Sequence, residues 1–291
     1  MLFSIYKIGK FIVKKLFNEK EEILTKTKSE IKKENKNKEN KVDNLKEKYK
    51  KLENINEKIN FFIEENIDRY ISYKEKNNNL SLEQVIINVN IGLDNKFYTN
   101  VKPAPNLDKY NVLVNKYNSL SKDYIPKNLQ QIDTKYSIKG MMMVSYAKDA
   151  FEEMAKDALK DKMHIIAMST YRSYDYQVNL YNKYAKKDGY DAADTYSAKA
   201  GFSEHQTGLA IDVYNGSTNY TSFEKTKEFT WMQKNAYKYG FIMRYPKDKE
   251  KETGYKYEAW HYRYIGKEIA KYIYDNRITY EEYYVRFIQN N

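Results

Sequence analysis

Ser203-Glu204-His205-Gln206-Thr207-Gly208-Leu209-Ala210-Ile211-Asp212 is followed later in the chain by Glu258-Ala259-Trp260-His261. These two stretches hold two of the three histidines in the protein. Seven positions separate His205 from Asp212, so a loop carrying the histidine can fold over the start of a strand carrying the aspartate. Gly208 would permit the close turn between them. A catalytic zinc site needs three protein ligands and keeps a fourth position open, and His, Asp and His supply that set. Glu258 is then free to act as a base. Each signal is weak alone, since a single histidine is usually a satisfied core or surface residue, but their conjunction is specific.

Composition narrows the remaining possibilities. At 291 residues the chain is long enough for one good core and an extension. With no cysteine, disulfides, thiolate metal sites and a cysteine nucleophile are excluded, so any metal must sit on His, Asp or Glu. Mean hydropathy is -0.88 and no apolar run approaches 18 residues, which argues against a transmembrane helix. The formal charge of +11 is concentrated at the start: residues 1–50 hold 15 Lys+Arg against 8 Asp+Glu, a net of +7. Basic charge in a tail without regularly interleaved aromatics does not describe a nucleic-acid surface. A compositional bias toward Lys, Asn, Ile and Tyr accounts for it, and anionic cell-envelope polymer is the functional alternative.

Working outward, residues 1–79 read as a basic helical or coiled-coil extension and linker. Leu2, Ile5, Tyr6, Ile12, Val13 and Leu16 share one helical face with Lys7, Lys10 and Lys14 opposite. Membrane-surface contact, a degenerate export signal and a solvated helix all fit that pattern, and the lysines interrupt any signal-peptide core. Val42, Leu45, Tyr49, Leu52, Asn56, Ile59 and Ile63 form a heptad seam, which suits either a short coiled coil or one amphipathic helix. Residues 80–136 read as an accessory segment packed on the core, with a strand expected near Val85 to Ile91. Residues 137–291 hold the chemistry. There the spacing predicts one helix over Lys139 to Lys160, a strand over Ile165 to Ser169 and a helix over Tyr174 to Lys187. It further predicts a strand over Leu209 to Tyr214, a helix over Thr226 to Tyr239, a strand over Phe241 to Arg244 and another approaching His261. Helices and short strands without regular βαβ alternation make this an α+β domain.

The pattern SxHxxGxAxD followed by ExWH, with Tyr171-Arg172-Ser173 upstream, resembles the zinc D-alanyl-D-alanine carboxypeptidases of the VanY type. The wider group includes D-Ala-D-Ala dipeptidases and the Hedgehog signalling domain. The resemblance runs from about Ser137 to Ile273, loosely includes Asn88 to Asp133, and leaves out the first 60 residues. It implies a small, mainly antiparallel sheet flanked by helices, with His205, Asp212 and His261 as Zn2+ ligands and Glu258 as catalytic base. It further implies that Arg172, Gln177 and Ser203, and less directly Tyr245, hold the peptide. Two departures touch no proposed ligand. Ser169-Thr170-Tyr171-Arg172-Ser173 has Thr where many relatives have Gly, and Ser197-Ala198-Lys199-Ala200-Gly201 has Lys and Ala where they have Arg and Pro.

The implied activity is removal of the terminal D-Ala from peptidoglycan stem peptides, which places the protein outside the cytoplasm at the cell envelope. An LD-carboxypeptidase, a dipeptidase, a wall endopeptidase and a non-catalytic zinc-stabilised wall-binding module share the same residues. His164 stands outside both motifs and is assigned no catalytic part. Trp260 is expected to pack beneath the site.

Overall fold

The computed structural model describes residues 59–290. The expected basic helix near the start and the heptad seam, apart from Ile59 and Ile63, lie outside the described residues. In chain order the strands are β1 (Lys102–Pro103), β2 (Asn118–Ser119), β3 (Leu129–Gln131), β4 (Met142–Val144), β5 (Ile166–Ser169), β6 (Ala210–Tyr214), β7 (Phe241–Met243) and β8 (His261–Tyr264). The longer helices are α1 (Ile67–Lys76), α2 (Leu82–Ile91), α3 (Ser145–Lys160), α4 (Tyr174–Asp188), α5 (Lys227–Asn235), α6 (Lys267–Asn276) and α7 (Tyr280–Phe287). The architecture is α+β, as expected. Its centre is a four-stranded sheet in the order β5-β6-β8-β7, antiparallel throughout.

Two expectations need correction. Val85 to Ile91 is part of helix α2 rather than a strand. Ser81 caps it by accepting a hydrogen bond from the Gln84 N–H, and Gly92, at φ 104°, ends it in the left-handed region. Its apolar run, interrupted only by Asn88 and Asn90, arises because Val85, Ile86, Ile87, Asn88, Val89 and Ile91 are all buried, so over this stretch little solvent-facing surface imposes a 3.6-residue period. The helix expected over Lys139 to Lys160 begins only at Ser145, because Met142 to Val144 pair antiparallel with Leu129 to Gln131. From there on, Ala147, Ala150, Phe151, Met154, Ala155 and Ala158 recur at helical spacing on the buried face of α3.

The core positions the site through strand alternation. Ile211 and Val213 of β6 and Tyr262 of β8 enter the hydrophobic core with Phe151 and Met154 of α3. Asp212 and His261 therefore face the opposite side of the same strands. Residues from Phe61 to Lys76 pack on α2 and the turn after it: Tyr70 donates to Asn90 Oδ1 at 2.7 Å, and Arg69 donates to the Val89 carbonyl at 2.9 Å and pairs with Asp94 at 2.7 Å. In turn, Glu83 of α2 pairs with Arg286 of α7 at 2.6 Å.

Candidate active site

The residue pair Asp212 and His261 is a direct cross-strand pair in the β6–β8 register. Cross-strand partners project to the same face, so two positions far apart in sequence are brought side by side. His205 arrives from a 3-10 turn over Glu204–Thr207 that Gly208 ends at φ 68°. A Cβ at Gly208 would lie 2.9 Å from Leu129 Cδ2 and 3.1 Å from Val144 Cγ2, so the turn needs glycine for space as well as for its backbone angle.

His205, Asp212 and His261 are all buried, and their ligand atoms lie within 4.8 Å of one another. Nδ1 of His205 hydrogen-bonds the Thr170 carbonyl at 2.6 Å, which makes it the protonated nitrogen and leaves Nε2 facing Asp212 Oδ2 at 3.4 Å. Nδ1 of His261 lies 2.9 Å from Asp212 Oδ1, and its Nε2 is buried without a hydrogen-bond partner. Two imidazoles and one carboxylate, with outer contacts that fix the ring orientations, fit zinc by donor type and number.

The electrostatics are those of a site built for positive charge. Burial alone would raise the Asp212 pKa, but the Arg172 guanidinium beside it holds it well below the usual carboxylate range. Burial, reinforced by Arg172, lowers His205 to about 4 and so keeps its imidazole neutral, the form that binds metal. For His261 burial acts downward, and the hydrogen-bonded Asp212 carboxylate with the nearby Glu204 carboxylate outweighs it, raising the value to about 9. Burial pushes Glu258 up to about 8, opposed by His261 and Arg172. A divalent cation nearby would favour the charged carboxylate. Glu258 Oε2 stands 3.9 Å from His261 Nδ1, and its side chain is 12% exposed toward the cleft.

That cleft has a volume of about 580 Å³, and all eight residues singled out in the sequence line it. Arg172 donates from Nη2 to Asp212 Oδ2 at 2.6 Å and from Nε to Ser169 Oγ at 2.9 Å. The buried Gln177 donates to the Ala198 carbonyl at 2.7 Å. The ring of Tyr245 stacks on His261 with centroids 4.8 Å apart. Trp260 is a cleft wall, meeting Tyr220 edge to face at 5.0 Å, as well as packing against the core. His164 is exposed and outside the cleft.

Sequence reasoning missed the support beneath the site. Glu204 sits inside the first motif, yet nothing in its spacing shows that Arg244 and Arg263, both fully buried, converge on it. Lys116 was also missed. It is 3% exposed, donates to the Asp194 carbonyl at 2.6 Å, and lies 4.4 Å and 4.6 Å from the ring centres of Phe97 and Tyr255. Tyr255 in turn packs on Tyr245 at 4.9 Å, so this lysine joins the accessory segment to the wall behind His261.

The family model for VanY, D-alanyl-D-alanine carboxypeptidase, matches residues 140–267. The putative carboxypeptidase YodJ of Bacillus subtilis (strain 168) is 38% identical over 210 residues, covering 68% of this chain and 77% of that protein. The chain belongs to the VanY D-alanyl-D-alanine carboxypeptidase family. Among solved structures, the LdcB LD-carboxypeptidase matches with a TM-score of 0.60 and 39% identity over 66% of this chain and 92% of that one. The vancomycin resistance D,D-pentapeptidase VanY, as a variant in complex with Zn(II), matches with a TM-score of 0.52 and 32% identity over 60% and 98%. Family membership together with the buried His–Asp–His group makes this VanY-family chain a metallocarboxypeptidase with zinc as its cofactor.

Proposed function

We propose that this chain is a zinc-dependent D-alanyl-D-alanine carboxypeptidase acting on peptidoglycan stem peptides, with His205, Asp212 and His261 as metal ligands. The observation that carries the reading is that the three buried donors open onto a cleft walled by Glu258 and Arg172. Bound zinc supplies a Lewis acid at the scissile carbonyl. Glu258 takes a proton from the attacking water and returns it to the leaving D-Ala amine. Arg172, oriented by Asp212 and Ser169, offers a planar cation to the substrate's terminal carboxylate. Gln177, Ser203 and Tyr245 shape the remaining wall against which the peptide lies.

Hydrolysis of a pentapeptide stem, a tetrapeptide stem and free D-Ala-D-Ala by the zinc-loaded protein tests this. Release of D-Ala from the pentapeptide is the expected result. A preference for the tetrapeptide would instead make it an LD-carboxypeptidase, the reading that likeness to LdcB favours. No hydrolysis of any of the three would leave a zinc-stabilised wall-binding module. A peptidoglycan substrate would put the protein outside the cytoplasm, associated with the cell envelope. The basic residues at its start, which lie outside the described residues, would hold it against the membrane or anionic envelope polymer.

A further inference from the structure

Beneath His261 two buried polar atoms face each other without hydrogen-bond partners: His261 Nε2 and Glu204 Oε2, 3.6 Å apart. Such atoms are costly to bury, and here each is the natural complement of the other. The other oxygen of the same carboxylate is fully committed. Glu204 Oε1 accepts from Arg244 Nε at 2.9 Å and from Arg263 Nη1 at 2.8 Å. Both arginines are themselves fixed, Arg244 by donating from Nη1 to Glu281 Oε2 at 2.8 Å and Arg263 by donating to the Val112 carbonyl at 2.7 Å. The carboxylate therefore cannot rotate, and Oε2 is held toward the ring.

The geometry points to Glu204 as a positioning residue for the metal centre: its arginine-locked carboxylate receives the Nε2–H of His261 and so presents Nδ1, beside Asp212, as the ligating atom. This rests on the reading of His261 as a ligand. A histidine that binds through one nitrogen is fixed in tautomer and orientation by what accepts the proton on the other. His205 is served in the same way by the Thr170 carbonyl, so each ring has its own acceptor. The His261 acceptor is anionic, which strengthens the hydrogen bond and makes the ring a better donor.

The test is Glu204→Gln. Because Oε1 is engaged by two arginines, the new amide keeps its oxygen there and turns its NH2 toward His261 Nε2, setting donor against donor. Zinc affinity, measured by competition with a chelator, should weaken by about 10- to 100-fold. Glu281→Gln perturbs Arg244, one of the two arginines that hold Glu204, without facing His261, so it should melt at a lower temperature yet keep its zinc affinity within about threefold. With only three histidines, 15N-labelled side chains also report ligation directly. Zinc-loaded wild type should show the His261 proton on Nε2, slow to exchange, and the metal on Nδ1. That spectrum decides the matter even where Glu204→Gln fails to fold. Unchanged affinity in Glu204→Gln, equal losses in both variants, or zinc on Nε2 would overturn the role of Glu204. Zinc retained in full by His261→Ala would instead overturn the assignment of the ligand.

Discussion

Asp212 and His261 are cross-strand partners, with Asp212 Oδ1 2.9 Å from His261 Nδ1. Their side chains meet because the antiparallel register pairs these positions, and the same pleat sends Ile211, Val213 and Tyr262 into the core. The sheet thus ties the candidate metal site to the hydrophobic packing: a one-residue slip would turn Asp212 and His261 into the core and Ile211, Val213 and Tyr262 away from it.

The first prediction concerns the metal. Purified protein should carry about one zinc per chain, since three donors from one chain form the group. His261→Ala should lose most of that zinc, as read by metal analysis, and chelation of wild type should abolish turnover until zinc is restored. Equal zinc in wild type and variant would remove His261 from the ligand set.

Glu258→Gln separates base from ligand. The substitution preserves size and polarity while removing the proton acceptor, so zinc content should stay near wild type while turnover falls by about two to four orders of magnitude. Loss of zinc in this variant would mean that Glu258 is itself a ligand.

Arg172→Lys keeps the charge but loses the planar fork. Since the guanidinium is already oriented by Asp212 and Ser169, the variant should turn over a peptide acid roughly 10- to 100-fold less efficiently in kcat/KM, the size of one or two charge-assisted hydrogen bonds. If Arg172 holds the terminal carboxylate, wild type should discriminate strongly against a peptide amide and the variant should do so less. Undiminished discrimination would point to another group for that carboxylate.

Lys116 supplies a pH dependence. Burial lowers its pKa from 10.5 to about 8. Below about pH 8 both folded and unfolded chains carry the proton and the cost of burying the ammonium is fully present. Between about 8 and 10.5 only the unfolded chain holds it, so this contribution to stability rises with pH. Relative to Lys116→Met, wild type should therefore gain about 1–3 kcal/mol across that window in denaturant unfolding. A pH-independent difference between the two would show that the ammonium is not desolvated.

The arm preceding Phe61 should be dispensable for chemistry, because every residue of the cleft lies between Met168 and His261. A chain beginning at Phe61, which keeps the packing of α1 on α2, should retain zinc and turnover on a soluble peptide. Full-length protein should bind anionic vesicles more tightly at low ionic strength, and that advantage should shrink with salt as charges are screened over about 8–10 Å. Equal binding by both forms at low salt would leave the excess charge as composition alone.

His205, Asp212, Glu258 and His261 were legible because metal chemistry restricts residue type and because two short segments carry all four. Strands β5, β6 and β7 of the central sheet were legible as well, each a short apolar stretch between turns, whereas β8, His-Tyr-Arg-Tyr, begins at His261 rather than approaching it. Helix α2 was not, since burial of Val85 to Val89 and Ile91 blurs the periodicity by which a helix is read. Nor was the strand at Met142–Val144, which depends on pairing with Leu129–Gln131 and so on a contact that no local pattern encodes. The same holds beneath the site. Sequence alone put His205, Asp212 and His261 forward as donors for a metal, because their chemistry is intrinsic to the side chains. Only the tertiary structure decided which nitrogen of each imidazole faces inward, because that depends on acceptors brought from elsewhere: the Thr170 carbonyl, and a Glu204 carboxylate held by Arg244 and Arg263.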